Sequence, residues 1–164
     1  MKFTKMQGIG NDYVYVDCFK EQVKEPGKVS RFISDRHFGI GADGLILICP
    51  SGKADCRMEM CGNGVRCVGK YAYDHGLVPA DRRNMTVETL GGIKTLELDV
   101  RDGKAVLITV DMGEGTLTSR LPEDIQVDGE DYRFVGIDVG NPHAVYYMDG
   151  IDGLDLERIG PAYE

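Results

Sequence analysis

The chain has 164 residues, with 27 Asp and Glu against 19 Lys and Arg, a formal net charge of −8. That balance argues against a nucleic-acid or anionic-membrane surface. No apolar run approaches the roughly 18 residues of a membrane span, and the opening MKFTKMQGIGND lacks the apolar core of a signal peptide, so a cytoplasmic protein acting on small molecules is expected. The length leaves room for one compact domain or one and a fraction.

In chain order, Gly8-Ile9-Gly10-Asn11-Asp12 leads into a strand-like run at 13–16, a helical pattern covers 28–35, and Gly39-Ile40-Gly41-Ala42-Asp43-Gly44 leads into a second strand at 45–48. Both glycine pieces contain G-x-G. Each is followed by a strand and not by a helix, so neither fits the dinucleotide fingerprint, and tight loops needing positive φ are the simpler reading. Asn11 is either an Asx-turn former or a side chain aimed into a cleft.

The next segment, EMCGNGVRCVGKYAYDHG, predicts a helix over 63–75 with Gly76 as its C-terminal stop. Cys61 stands just before Gly62-Asn63-Gly64 at the start of that helix. Unpaired N–H groups and the positive dipole end converge there, which lowers a thiol's pKa and can hold a carboxylate. The other cysteines, Cys18, Cys49, Cys56 and Cys67, read as small buried hydrophobes. An odd count of five at irregular spacing argues against a disulfide framework and against a zinc site, so no metal is expected.

Strand patterns at 85–89, 95–100 and 105–110 are joined by Gly91-Gly92 and Arg101-Asp102-Gly103, which predicts an antiparallel meander and an α+β class. Composition shifts after Asp111, so a first domain over 1–111 and a second over 112–164 are expected. The second, with strands near 132–138 and 144–148 and a weak helix over 154–159, is too short to build a comfortable core and reads as interrupted. Between its strands stands Gly140-Asn141-Pro142-His143. An Asn-Pro turn with a surface histidine and a catalytic histidine are both open readings of it.

Together, Gly8 to Asp12, Gly39 to Asp43, Met60-Cys61-Gly62-Asn63-Gly64-Val65-Arg66-Cys67, Val110-Asp111-Met112-Gly113 and Gly140 to His143 closely resemble the diaminopimelate epimerase family. The resemblance implies a mostly antiparallel sheet wrapped around a central helix, in two similar lobes of which the second is incomplete here. It also implies a homodimer and a cofactor-independent isomerase that interconverts LL- and meso-diaminopimelate with two thiols, one on each face of the α-carbon. Cys61 matches the first thiol, His143 its partner, and Asn11, Asn63 and Asn141 the substrate contacts. Gly62 and Asn63 match the donors to the α-carboxylate.

Three features depart from the family pattern. Its second catalytic cysteine belongs to a later segment, and Cys67, two turns down the same helix, cannot replace it. A strand-turn piece that members carry between Met58 and Glu59 is absent, and Gly44 stands where many have glutamine. The 164 residues alone are therefore expected to bind but not to epimerise. A related proline racemase or phenazine-biosynthesis isomerase is the other reading; Ile9 to Asp12 and Gly140 to His143 favour the diaminopimelate branch.

Overall fold

The computed structural model describes residues 1–59, 64–140 and 142–163, and the chain divides into two compact units, Met1–Met112 and Gly113–Glu164. The first holds β1 (Thr4–Gly8), β2 (Asn11–Asp17), α1 (Pro26–Ser34), β3 (Gly44–Cys49), β4 (Cys56–Glu59), α2 (Val65–Asp74), β5 (Asn84–Thr89), β6 (Gly92–Arg101) and β7 (Lys104–Asp111). Its strands form one seven-stranded sheet in sequence order. Pairing is antiparallel except between β2 and β3 and between β4 and β5, which run parallel. The class is α+β with mostly antiparallel pairing, as the sequence predicts, and the meander of β5, β6 and β7 turns where its glycines stand.

The central strands bury both faces, which explains their unbroken apolar runs. Tyr13 and Tyr15 of β2 and Ile46 and Ile48 of β3 join one core with Val65, Val68 and Ala72 of α2. The alternate residues Val14, Val16, Leu45 and Leu47 join a second core with Ile33 of α1. A period of two along each strand thus divides the side chains between two helices. The sheet lies around α2, which packs against β1, β4, β5, β6 and β7.

Helix α2 is amphipathic at the predicted spacing but starts and stops inside the predicted 63–75. Its end is a Schellman motif: Gly76 takes φ 71°, the Leu77 N–H donates to the Ala72 carbonyl at 2.8 Å, and the Gly76 N–H to the Tyr73 carbonyl at 3.1 Å. Leu77 then packs on the core. In mid-helix, a Cβ on Gly69 would lie 2.5 Å from Leu96 Cδ2 and 3.5 Å from Ile108 Cγ2, so the glycine lets the helix sit close upon β6 and β7.

Strands β1 and β4 carry no clear sequence signal. β1 is short and only half-buried, and β4 spans four residues. Both form because a neighbouring strand offers them an edge, β1 on β2 and β4 between β3 and β5.

The second unit contains β8 (Thr116–Leu117), β9 (Glu123–Val127), β10 (Glu130–Asp138) and β11 (Pro142–Tyr146), then a short helix α3 (Leu156–Ile159) between two 3-10 turns. β10 pairs antiparallel with all three other strands. Among the described residues, Val127, 8% exposed, is the one buried hydrophobic side chain of this unit. Tyr163 packs edge-on against Tyr132 and Tyr146, with ring centroids 5.2 and 5.1 Å apart.

The packing at Gly69 sets a test of fold stability. Alanine there gains helix propensity of about 1 kcal/mol, but overpacking against Leu96 costs about 1–3 kcal/mol. Gly69→Ala is expected to lower the urea midpoint of the folded protein, whereas an unchanged or raised midpoint would show that β6 yields freely.

Candidate functional site

The start of α2 is fixed from below. Gly64 is its N-cap, and a Cβ there would lie 2.1 Å from Ile46 Cδ1 and 2.7 Å from the hydroxyl of buried Tyr15. The isoleucine methyl could swing aside; the tyrosine ring, packed in the core, could not. Among the described residues no side chain caps this helix end by hydrogen bonding, and its first turn carries Arg66 and no acidic residue. Such an end favours an anion over a cation. Cys61, Gly62 and Asn63, which precede it in sequence, lie outside the described residues, as does Asn141.

Asn11 stands in a hairpin that touches the first turn of this helix. The β1–β2 hairpin turns through Ile9 at φ 53° and Gly10 at φ 84°, a type I′ geometry closed by the Gly8 and Asn11 pair. A Cβ on Gly8 would lie 3.4 Å from Cys67 Sγ in the first turn of α2, so the hairpin end rests over that turn. Asn11, paired with Gly8, is exposed there. Isoleucine is an unusual choice at positive φ because its branched Cβ crowds the backbone, so the turn conformation is imposed by its surroundings.

A charged clasp supplies those surroundings and joins the two glycine-rich loops. The Asp12 carboxylate takes Lys5 at 2.8 Å and Arg36 at 2.9 Å, and the same Arg36 reaches Asp43 at 2.9 Å. The Asp12 N–H donates to the Asp43 carboxylate at 2.8 Å, the Asp43 N–H donates to the Asp12 carbonyl at 2.7 Å, and Lys5 Nζ donates to the Gly41 carbonyl. The Arg36 guanidinium, with Lys5 beside it, holds the Asp12 carboxyl well below the usual carboxylate range. Arg36 is shifted up in turn, chiefly by Asp12. Sequence reasoning missed this clasp; the available signal was an Asp two residues after the second glycine of each loop.

At Gly44 an added Cβ would make ordinary contact with the Tyr13 ring at 3.5 Å, and no positive φ demands glycine there. The backbone at this position therefore accepts a side chain such as glutamine.

Four cysteines are free thiols in the described residues. Cys49 and Cys56 are buried, as expected, whereas Cys18 and Cys67 are only half-buried. The full burial predicted for Cys18 fails because it lies one residue past the end of β2, where the chain leaves the sheet. Burial pushes the Cys56 and Cys18 thiols up to about 12, and raises Cys49 as well. Cys67 packs against the α2 core beside Gly8. His143 belongs to the second unit: it is exposed on β11, directly opposite Ile137 of β10.

A family profile described as diaminopimelate epimerase matches residues 3–118. The diaminopimelate epimerase of Acetivibrio thermocellus is 48% identical over 185 aligned positions that cover all of this chain and 65% of that relative. That of Methanococcus maripaludis is 45% identical and is covered to 66%, again with all of this chain aligned. The chain thus spans about two thirds of the length of the curated relatives it matches. A solved hydroxyproline epimerase from Agrobacterium vitis, with trans-4-hydroxy-L-proline bound, has a TM-score of 0.70 and 14% identity over 96% of this chain and 52% of its own. At that identity the likeness shows the fold.

Two outcomes follow from the site's electrostatics. Brief, limiting alkylation at neutral pH should label Cys61 ahead of Cys18, Cys49 and Cys56, whose raised pKa values leave little thiolate; peptide mapping that finds one of those three labelled first would contradict it. The second concerns acid. Because the Asp12 pKa is lowered on folding, its contribution is present above the unfolded carboxylate value near pH 4 and is lost as pH falls further. Asp12→Asn should therefore flatten the acid limb of the stability curve, read by thermal melts at stepped pH, while an acid limb of unchanged slope would remove Asp12 from it.

Proposed function

Since the chain belongs to the diaminopimelate epimerase family, we propose that its protein interconverts LL- and meso-diaminopimelate by cofactor-independent proton transfer between thiols and the α-carbon. The observation that carries this reading is the fixed start of α2, held against Tyr15 and leading back in sequence to Asn63, Gly62 and Cys61. The thiolate of Cys61 takes the α-proton from one face. As the proton leaves, charge flows into the carboxylate, so N–H donors of Gly62 and Asn63 at the helix start stabilise the transition state more than the ground state.

In this proposal His143 takes or shares the Cys61 proton, while Asn11, Asn63 and Asn141 hold polar groups of the substrate. Asn11 is suited to that role by its exposure and by the clasp that fixes its loop. The reaction needs a second acid on the opposite face of the planar carbanion. Cys49 and Cys56 are buried, Cys18 shares the α1-side core, and Cys67 rides on the same helix, so none of them suits. We assign the second thiol to the part of the relatives' length that this chain does not span, with 112–164 as the start of a second lobe. A cytoplasmic location and a homodimer belong to the same reading.

The test is deuterium incorporation at the α-carbon of diaminopimelate in heavy water. In a chain of the relatives' length, Cys61→Ala should slow incorporation by about 10²–10⁴-fold, the range for loss of one positioned acid-base group. The 164-residue polypeptide by itself should exchange no faster than its own Cys61→Ala variant, because residues that act as a unit lose their effect together. Exchange well above that background would show that Cys61 with His143 suffices.

A further inference from the structure

Cys18 and Cys49, far apart in sequence, are brought side by side by the parallel pairing of β2 and β3. Asp17 stands opposite Ile48, and the Cys18 N–H continues the ladder by donating to the Ile48 carbonyl at 2.8 Å, so Cys18 falls next to Cys49. Side chains alternate along both strands, and these two follow Val14 and Val16 on one and Leu45 and Leu47 on the other. Both thiols therefore face the α1 side of the sheet. Each thiol is close enough to influence the other's ionisation. Neighbouring strands lie about 4.7–4.9 Å apart, within the Cα separation of about 4.4–6.8 Å that a disulfide spans.

The other face-mates are ionic. Arg57 of β4 stands opposite Cys49, Glu59 stands opposite Leu47, and the two pair at 2.7 Å. Burial, and next the Glu59 carboxylate, raise the Cys49 pKa, and the neighbouring Cys18 thiol and Arg57 guanidinium offset part of that rise. Cys18 is half-buried and Cys49 buried, so an oxidant meets Cys18 first and Cys49 is placed to attack from within.

We propose that Cys18 and Cys49 form an oxidisable dithiol, which closes into an intramolecular disulfide in the folded protein when it meets a low-molecular-weight disulfide such as oxidised glutathione. The small fraction of Cys18 that is thiolate, which grows as pH rises, attacks one sulfur of the small disulfide, forming a mixed disulfide and releasing one small thiolate. The Cys49 thiolate then attacks the Cys18 sulfur, forming the Cys18–Cys49 bond and expelling the second small thiolate. Two protein thiols are oxidised, one small disulfide is reduced to two thiols, and the two protons go to solvent or to the departing thiolates. A bond between adjacent strands has little freedom to reach relaxed geometry, which places it with the labile disulfides that reductants reopen. It would lie on the face that also holds Glu59, two residues before Cys61.

The folded, unmutated chain is treated with oxidised glutathione at mildly alkaline pH, quenched by acid and mapped without reduction. The expected result is a Cys18–Cys49 cross-linked peptide as the main intramolecular cross-link, a loss of two hydrogen masses, reversal by dithiothreitol, and no such preference when urea is present throughout. Cys18→Ser should leave Cys49 unoxidised while its far-ultraviolet circular dichroism stays as in the parent. Glutathione retained on Cys18 with Cys49 still free, or Cys61 as the main cross-linked partner, would overturn the proposal. Since the readout is covalent and not catalytic, it stands or falls separately from the epimerase reading.

Discussion

The close seating of α2 within its sheet is the contact on which the first unit depends. A ten-residue helix has little stability of its own in water, and this one gains it by burying Val65, Val68, Tyr71 and Ala72 against strands from across the unit. Each larger side chain so buried contributes on the order of 1.5–3 kcal/mol. Two glycines set the distance, Gly64 at Tyr15 and Gly69 at Leu96. Because the helix can neither slide nor tilt without meeting those side chains, its N-terminal end is a fixed point, and that is what an electrostatic site requires.

The second constraint is the two-sidedness of β2 and β3. One set of their side chains serves the α2 core and the other the α1 core, so the cysteines of these strands and of β4 are sorted by face. Cys56 lies with α2 and is sealed in. Cys18 and Cys49 lie with α1, near the surface and near each other. Around the ends of the same strands, the Lys5, Asp12, Arg36 and Asp43 clasp joins two loops that the sequence separates. Exposed ion pairs contribute roughly 0–1 kcal/mol each, so the clasp acts by orientation, fixing the hairpin that presents Asn11 more than it deepens stability.

The second unit is held differently. With Val127 as its one buried hydrophobic among the described residues, it relies on a β10-centred ladder and on rings packed edge-on around Tyr163. Edge-to-face pairs add about 0.5–1.5 kcal/mol beyond the area they bury. His143 stands on the exposed edge strand of that ladder, opposite Ile137.

By itself, the sequence determined the elements whose signals are local. The apolar runs of β2 and β3, the meander of β5 to β7, the three- and four-residue spacing of α2 and its stop at Gly76 all depend on neighbours within a few residues, and each is present in the fold. The block from Met60 to Cys67 was likewise legible, because its meaning lies in residue order. Short strands such as β1, β4, β8 and β9 were not, since their few polar or half-buried residues take strand form only when a neighbouring edge offers hydrogen bonds. Nor were the clasp and the Cys18 and Cys49 pair. Both depend on the register of β2 against β3, which is set when alternating side chains must fill two cores at once, and a one-residue slip would exchange every face. Tertiary structure decided those contacts because they join residues that no local rule relates.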